Sequence, residues 1–308
     1  MNFHRIFLVL VFLAGIPVYS YAQGLPPDAQ GQINRQNEER RIQRENDDRM
    51  RRSSQINGMQ NPKGNGVTVY KKPTLNKKDR ELRDRIVAPD ADDLGLLQDF
   101  LKQPNTGVFR LFPDYDCYTK GILKVDGKCQ GIYPGTWFYS FREKDYSDGF
   151  FFDLQLKNGK LITDGFLSQG ILTRLGNFSL DKVTLQTKGA GFLVGFLPAK
   201  KESDVKTQTL QIADGIEADG FKYSKEAPAK VGEVYLLRVV AYRIQGRFLA
   251  QATEKEGTTP MLYSLLNQDK RDDLTVAFRI IRAKADGNLT IVWKVLDKKK
   301  APEIIFSK

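Results

Sequence analysis

The chain has 308 residues, with 48 Lys and Arg against 37 Asp and Glu for a formal net charge of +11, two cysteines, and one histidine, His4. Its first 22 residues hold one arginine, an apolar run from Ile6 to Ile16 and the small-residue step Ser20-Tyr21-Ala22, the pattern of a secretory signal peptide. Cleavage removes His4 and Arg5. The mature chain, at +10, then lacks the imidazole that Ser-His-Asp and Cys-His nucleophile systems and most catalytic transition-metal sites need. Eleven apolar residues are too few for the ~20 that a membrane-spanning helix requires. A secreted or periplasmic protein with no transmembrane span after signal cleavage is therefore expected.

Residues 23–73 contain almost no large apolar side chain and read as a disordered basic arm, because nothing in them offsets the entropy of ordering. Arg35, Arg40, Arg41, Arg44, Arg49, Arg51 and Arg52 suit an anionic partner, an envelope polymer or a lipid surface. Interspersed acids weaken that reading, a solvated linker is the plainer one, and nucleic acid is not the partner expected of an exported chain. Residues 74–103 form the helical segment. NKKDRELRDRIV reads as an exposed helix and Pro89 interrupts. In DADDLGLLQDFLKQ, Asp90 is the N-cap, Leu94, Leu97, Phe100 and Leu101 make an apolar face, and Pro104 stops the helix. It should pack as a collar on the β region.

After Thr106 the apolar period changes to two, punctuated by Gly, Asn and Asp, so the fold class is mostly β with a minor helical part. Antiparallel sheets are expected, in a sandwich or a partly open barrel of one or two modules. The polar stretch KKESDVK divides a first β module, 104–200, from a second, 205–308, with a single larger sandwich as the competing arrangement. TWFYSFR places Trp137, Tyr139 and Phe141 on one face and Phe138 and Ser140 on the other. In FFFDLQLKNGKLITDGFL, Asn158-Gly159 is a type I′ turn. Counting outward from it pairs Lys157 with Lys160, Leu156 with Leu161, Gln155 with Ile162, Leu154 with Thr163, Asp153 with Asp164 and Phe151 with Phe166. KTQTLQIA and EVYLLRVVAY read as strands, and TPMLYSLLNQDK as a short helix begun by Pro260. The last hairpin, TVAFRIIRAKADGNLTIVWKVL, turns at Asp286-Gly287 and pairs Ile281 with Val292, Ile280 with Trp293 and Phe278 with Val295. Apolar residues on both of its faces make it a central ribbon.

Cys117 and Cys129 cannot supply the four soft ligands of a structural zinc site, and their spacing is not the CxxC of a redox centre. In an oxidising compartment such a pair bonds to itself. A turn at Asp126-Gly127 would place Cys129 opposite Lys124, so the disulfide would tie the end of an excursion to its base.

Without histidine, carboxylates carry whatever chemistry remains. Asp153 opposite Asp164 would be a like-charge pair, destabilising on a ladder unless water screens it, a cation binds it, or it does catalytic work. Asp114, Asp116, Asp145 and Asp148 stand near Tyr115, Tyr118, Tyr133 and Tyr146 in the sequence. Rings beside carboxylates suit a sugar-binding cleft, and equally a β core with polar turns. Ca²⁺ is the only cofactor with any support. TKGAGFLVG lacks the GK[ST] ending of a phosphate loop and shows no helical pattern after it. The expectation is an exported non-enzymatic β-rich protein that binds or scaffolds a glycan or anionic polymer at the cell envelope or outside the cell. A carboxylate-dependent glycan hydrolase is the alternative, since that reaction needs only two Asp or Glu. An envelope assembly factor tethered by its arm is a third.

Overall fold

The computed structural model describes residues 76–119, 122–124, 126–133, 135–147, 149–244 and 269–306. The expected leader and arm, all of the short helix expected at TPMLYSLLNQDK but Asp269 and Lys270, and Asp148 lie outside the described residues. Three short helices come first: α1 (Lys77–Val87), α2 (Ala91–Leu96) and α3 (Gln98–Leu101). Asn76 caps α1 by accepting from the Asp79 N–H at 2.9 Å. Asp90 occupies the N-cap position of α2, but its carboxylate accepts from Lys284 instead of the helix.

The strands up to residue 176 are β1 (Thr106–Leu111), β2 (Tyr118–Thr119), β3 (Ile122–Leu123), β4 (Phe138–Ser140), β5 (Asp145–Tyr146), β6 (Leu154–Lys157), β7 (Lys160–Ile162) and β8 (Ser168–Gly176). Two helices follow, α4 (Gly191–Gly195) and α5 (Glu202–Asp214). The rest are β9 (Ile216–Ala218), β10 (Phe221–Ser224), β11 (Glu226–Pro228), β12 (Val234–Ala241), β13 (Arg243–Ile244), β14 (Asp272–Ala283), β15 (Leu289–Lys300) and β16 (Glu303–Ile304). Seven of them form a large antiparallel sheet in the order β1-β15-β14-β12-β8-β10-β9, and five a smaller one, β11-β7-β6-β4-β5.

Strands from both sides of the boundary expected at 200–205 lie in each sheet. β1 and β8 join β9, β10, β12, β14 and β15 in the large one, and β11 joins the small one. The chain on either side of 200–205 therefore does not form separate sheets. The expected strand KTQTLQIA is helical, within α5. Val205 and Ile212, seven residues apart, are its buried positions, acids stand in its first turn, and Gly215 (φ 93°) ends it. Gly191–Gly195 is likewise a short helix where no helical pattern is expected.

Alternation along β12 explains the layering. Tyr235, Leu237 and Val239 point to the small sheet and share a core with Phe109, Tyr139, Phe141, Leu154, Leu161, Phe278 and Trp293. Val234 and Leu236 point the other way, into a second core with Leu180, Leu193, Ile212 and the half-buried Leu97 and Phe100. Small sheet, large sheet and helices thus stack as three layers around two cores. The collar expected of 90–103 is this helical cover. A third cluster, Phe112, Cys117, Cys129, Ile132, Trp137, Phe138 and Phe152, packs with Ile86 and Val87 of α1.

Local turn chemistry sets one hairpin and misplaces two. Asn158 and Gly159 both have positive φ, 51° and 71°, and pair Lys157 with Lys160, Leu156 with Leu161 and Gln155 with Ile162 as expected. That ladder stops there. Leu154 pairs with Tyr139 of β4, and the Thr163 N–H donates to Lys225 O at 2.9 Å, so Asp153 and Asp164 are not a cross-strand pair. In the last hairpin Ala283 pairs with Leu289, and a five-residue loop replaces the two-residue turn. The loop moves the register by one residue and an irregularity at Ile281 by another, so Phe278 faces Trp293 and Ile280 faces Ile291. Between Val276 and Ile280 this shift of two residues keeps the side chains on their expected faces, while the irregularities at Thr275/Val276 and Ile280/Arg282 leave the ends shifted by one, and the ribbon is central as expected.

Candidate functional site

Cys117 and Cys129 are disulfide-bonded, with Cα atoms 5.6 Å apart. The turn of their excursion is not at Asp126-Gly127: Gly127–Cys129 is a 3₁₀ turn, β2 pairs with β3, and the Lys124 N–H donates to Cys117 O at 2.8 Å. Cys117, not Cys129, stands opposite Lys124. Both sulfurs lie in the cluster with Trp137 and Phe138 at the start of β4.

The acid and aromatic residues fall into two groups with different partners. Asp145 accepts from the Arg83 guanidinium, which also lies 5.4 Å from the Tyr146 ring. The Tyr146 hydroxyl donates to Arg110 O at 2.5 Å, and its ring meets Tyr139 edge-on at 5.6 Å. Burial raises the Tyr146 phenol, and burial together with Asp79 raises that of Tyr133. Arg83 of α1 thus covers the face that a sugar would need. In the second group, Asp114 is buried and accepts from Gln155 Nε2 at 3.0 Å and from the Asp116 N–H at 3.0 Å. Lys157 Nζ lies 3.7 Å from Asp114 and 3.8 Å from the exposed Asp116, itself at φ 53°. The Tyr115 hydroxyl donates to Asp286 O at 3.0 Å, with Lys128 5.3 Å from its ring. Tyr118 contributes its backbone to β2, opposite Leu123.

The densest polar constellation was not anticipated from the sequence. Arg142, with a fully buried side chain, donates from Nε to Asp153 at 2.8 Å, from Nη1 to Asp269 at 2.5 Å and Lys270 O at 2.6 Å, and from Nη2 to Phe151 O at 2.8 Å. Asp153 also accepts from the Arg142 N–H at 3.1 Å and Ser140 Oγ at 3.3 Å. Asp269 is shared with Arg271 at 2.7 Å. Arg271 in turn donates to Tyr242 O at 2.8 Å and to the carbonyls of Phe166 and Leu167. Burial pushes the Asp153 carboxyl above the ordinary carboxylate range, and Arg142 pulls the other way. Burial alone would lower the Arg142 guanidinium, but Asp153 and Asp269 outweigh it and raise the group. A cation or sugar must displace this guanidinium to reach Asp153.

A second buried pair crosses the large sheet on its helical face. Arg238 grips Asp273 bidentately, Nε to Oδ1 at 2.9 Å and Nη2 to Oδ2 at 2.7 Å, and its Nη1 donates to the carbonyls of Leu193 and Phe196. Nearer the surface, Arg282 grips Asp93 of α2 in the same way. Arg238 sits in VYLLRVVA among residues buried on both faces, and that is the sequence signal for a paired buried charge. Among the described residues no three His, Cys, Asp or Glu side chains are placed to hold a metal ion, and no helix is long and apolar enough to cross a membrane. Known protein families, curated proteins and solved structures offer no match to this chain.

Proposed function

We propose that this chain is an exported, non-enzymatic β-rich module that binds or scaffolds a partner at the cell envelope or outside the cell. The observation that carries the reading is the use made of the buried carboxylates. Asp153 and Asp269 are held by Arg142, Asp273 by Arg238, and Asp93 by Arg282. Charges matched in this way stiffen a frame and leave recognition to the surface, and basic residues outnumber acids in the chain as a whole. The disulfide is in keeping with an oxidising compartment. A glycan or an anionic envelope polymer is the partner class, with Ca²⁺ the ion to include.

The test is a thermal-shift panel of neutral and anionic polysaccharides and of Ca²⁺ on the mature chain, run beside a reducing-end assay. A binding module gains stability from one of these ligands and releases no reducing ends. Reducing ends released by the wild type and lost in Asp114→Asn or Asp145→Asn would overturn the reading in favour of the glycan hydrolase.

A further inference from the structure

The segment GFLVGFLPAKK, residues 191–201, presents apolar side chains on both of its sides. Inward, Leu193 is buried, and Phe192 and Phe196 pack against the core beneath the large sheet. Outward, Val194 is 50% exposed and Leu197 83% exposed. Side chains of this size stay in water at a cost that a fold ordinarily avoids by local repacking. Here repacking is blocked, because the backbone is pinned from below. Arg238 donates to the carbonyls of Leu193 and Phe196, the Tyr223 hydroxyl to Gly189 O at 2.9 Å, and Gln208 Nε2 to Leu197 O at 3.0 Å. The Ala199 N–H donates to Gln208 Oε1 at 2.9 Å. A buried ion pair therefore serves to hold two apolar side chains outside the molecule.

Cations flank them on the C-terminal side. Lys200 and Lys201 follow Leu197 closely, both exposed, and among the described residues neither is in an ion pair. The bridge between Lys201 and Ile305 brings the C-terminal strand alongside, with Ile305 52% exposed. Lys299, 3.7 Å from Asp273, stands at the edge of the Arg238 site that fixes the turn. The nearest acid in sequence, Glu202, is taken up by Lys206 at 2.8 Å. An apolar tip rimmed by lysines is the arrangement that seats in a bilayer interface, where long cationic side chains reach the headgroups while the tip goes deeper. A protein partner with an apolar groove would be met as well by a neutral rim.

We infer that Val194, Leu197 and Ile305, with Lys200 and Lys201, form a wedge that docks the protein on an anionic lipid surface. This rests on the reading that the mature chain works at the envelope, and it names one surface there.

The experiment is flotation of the mature chain with vesicles of phosphatidylcholine alone and of equal parts phosphatidylglycerol and phosphatidylcholine. The wild type is expected to float with the anionic vesicles and weakly with the neutral ones. Val194→Ser with Leu197→Ser should reduce partitioning by about tenfold or more. Lys200→Gln with Lys201→Gln should reduce it about thirtyfold. Both pairs are surface changes, so unchanged thermal melts will show intact folding. No flotation of the wild type, or equal flotation with neutral vesicles, overturns the proposal. So does wild-type flotation of the Val194/Leu197 variant, which would assign the contact to the basic arm or to a soluble polyanion. Stabilisation by a polysaccharide without flotation sinks the wedge and leaves the binding-module reading standing. Flotation together with reducing-end release does the opposite.

Discussion

Arg142 and Arg238 are both buried arginines whose side chains make four hydrogen bonds, to carboxylate and to backbone carbonyls, yet they are built differently. Arg142 belongs to a closed row of alternating charges, Asp153, Arg142, Asp269 and Arg271, that ties the carbonyls of Phe151, Lys270, Phe166, Leu167 and Tyr242 together. Arg238 makes a single bidentate pair and holds one turn against one sheet face. The first arrangement joins several stretches of backbone at one point. The second positions a surface feature, the turn carrying Val194 and Leu197. One chemical group thus does architectural work at one end and presentational work at the other, and the difference lies in how many backbones it joins.

The comparison is broken most directly by Arg142→Met, which leaves Asp153 and Asp269 buried without their shared partner. It should cost about 3–5 kcal/mol in urea unfolding. If that value falls below the cost of Arg238→Met, network closure is not what distinguishes the two sites. Arg238→Met is expected at about 3 kcal/mol, because Lys299 stands 3.7 Å from the Asp273 it strands. Its second signature is faster amide exchange at 191–199 than in the wild type, with exchange in the large sheet raised less. A covalent tie gives a reference free of titrating groups. Replacing both Cys117 and Cys129 with serine should destabilise by about 3 kcal/mol in the chain-entropy model, with no pH dependence from the site itself. The smallest effect is at the surface. The Asp90 carboxyl lies below its ordinary value of 3.8 because it accepts from Lys284. Its contribution is therefore present above 3.8 and lost as pH falls through the lower folded value. Carboxyl NMR should find that lowered titration in the wild type and a return toward 3.8 in Lys284→Met. Titration unchanged by that substitution would remove the assigned cause.

Much of the β architecture was legible locally. VYLLRVVA and the two long terminal strands carry apolar residues on both faces, the mark of central strands, and Asn158-Gly159 supplied the two positive φ angles its turn needs. KTQTLQIA misled because a short run with apolar residues near both periods fits a strand and a helix alike, and packing against the large sheet chose the helix. Asp286-Gly287 misled because Asn288 is itself buried in the turn, its N–H donating to Asp286 at 3.2 Å, which lengthens the loop to five residues.

Of the candidate site, the cysteine bond was legible because the chain has two cysteines and their spacing suits neither a zinc site nor a redox centre. The partners of the acids were not. Arg142 and Asp269 are 127 residues apart, and Arg238 and Asp273 are 35 apart. Which charge meets which depends on strand order, and no window of sequence contains strand order. Composition, periodicity and turn residues are properties of neighbours along the chain, so the sequence by itself determined the β class and the staple, while packing placed Trp137 with Phe138 and not with Tyr139 and Phe141. Pairing of buried charges and exposure of Leu197 arise from contacts between distant segments, and only the tertiary structure decided them.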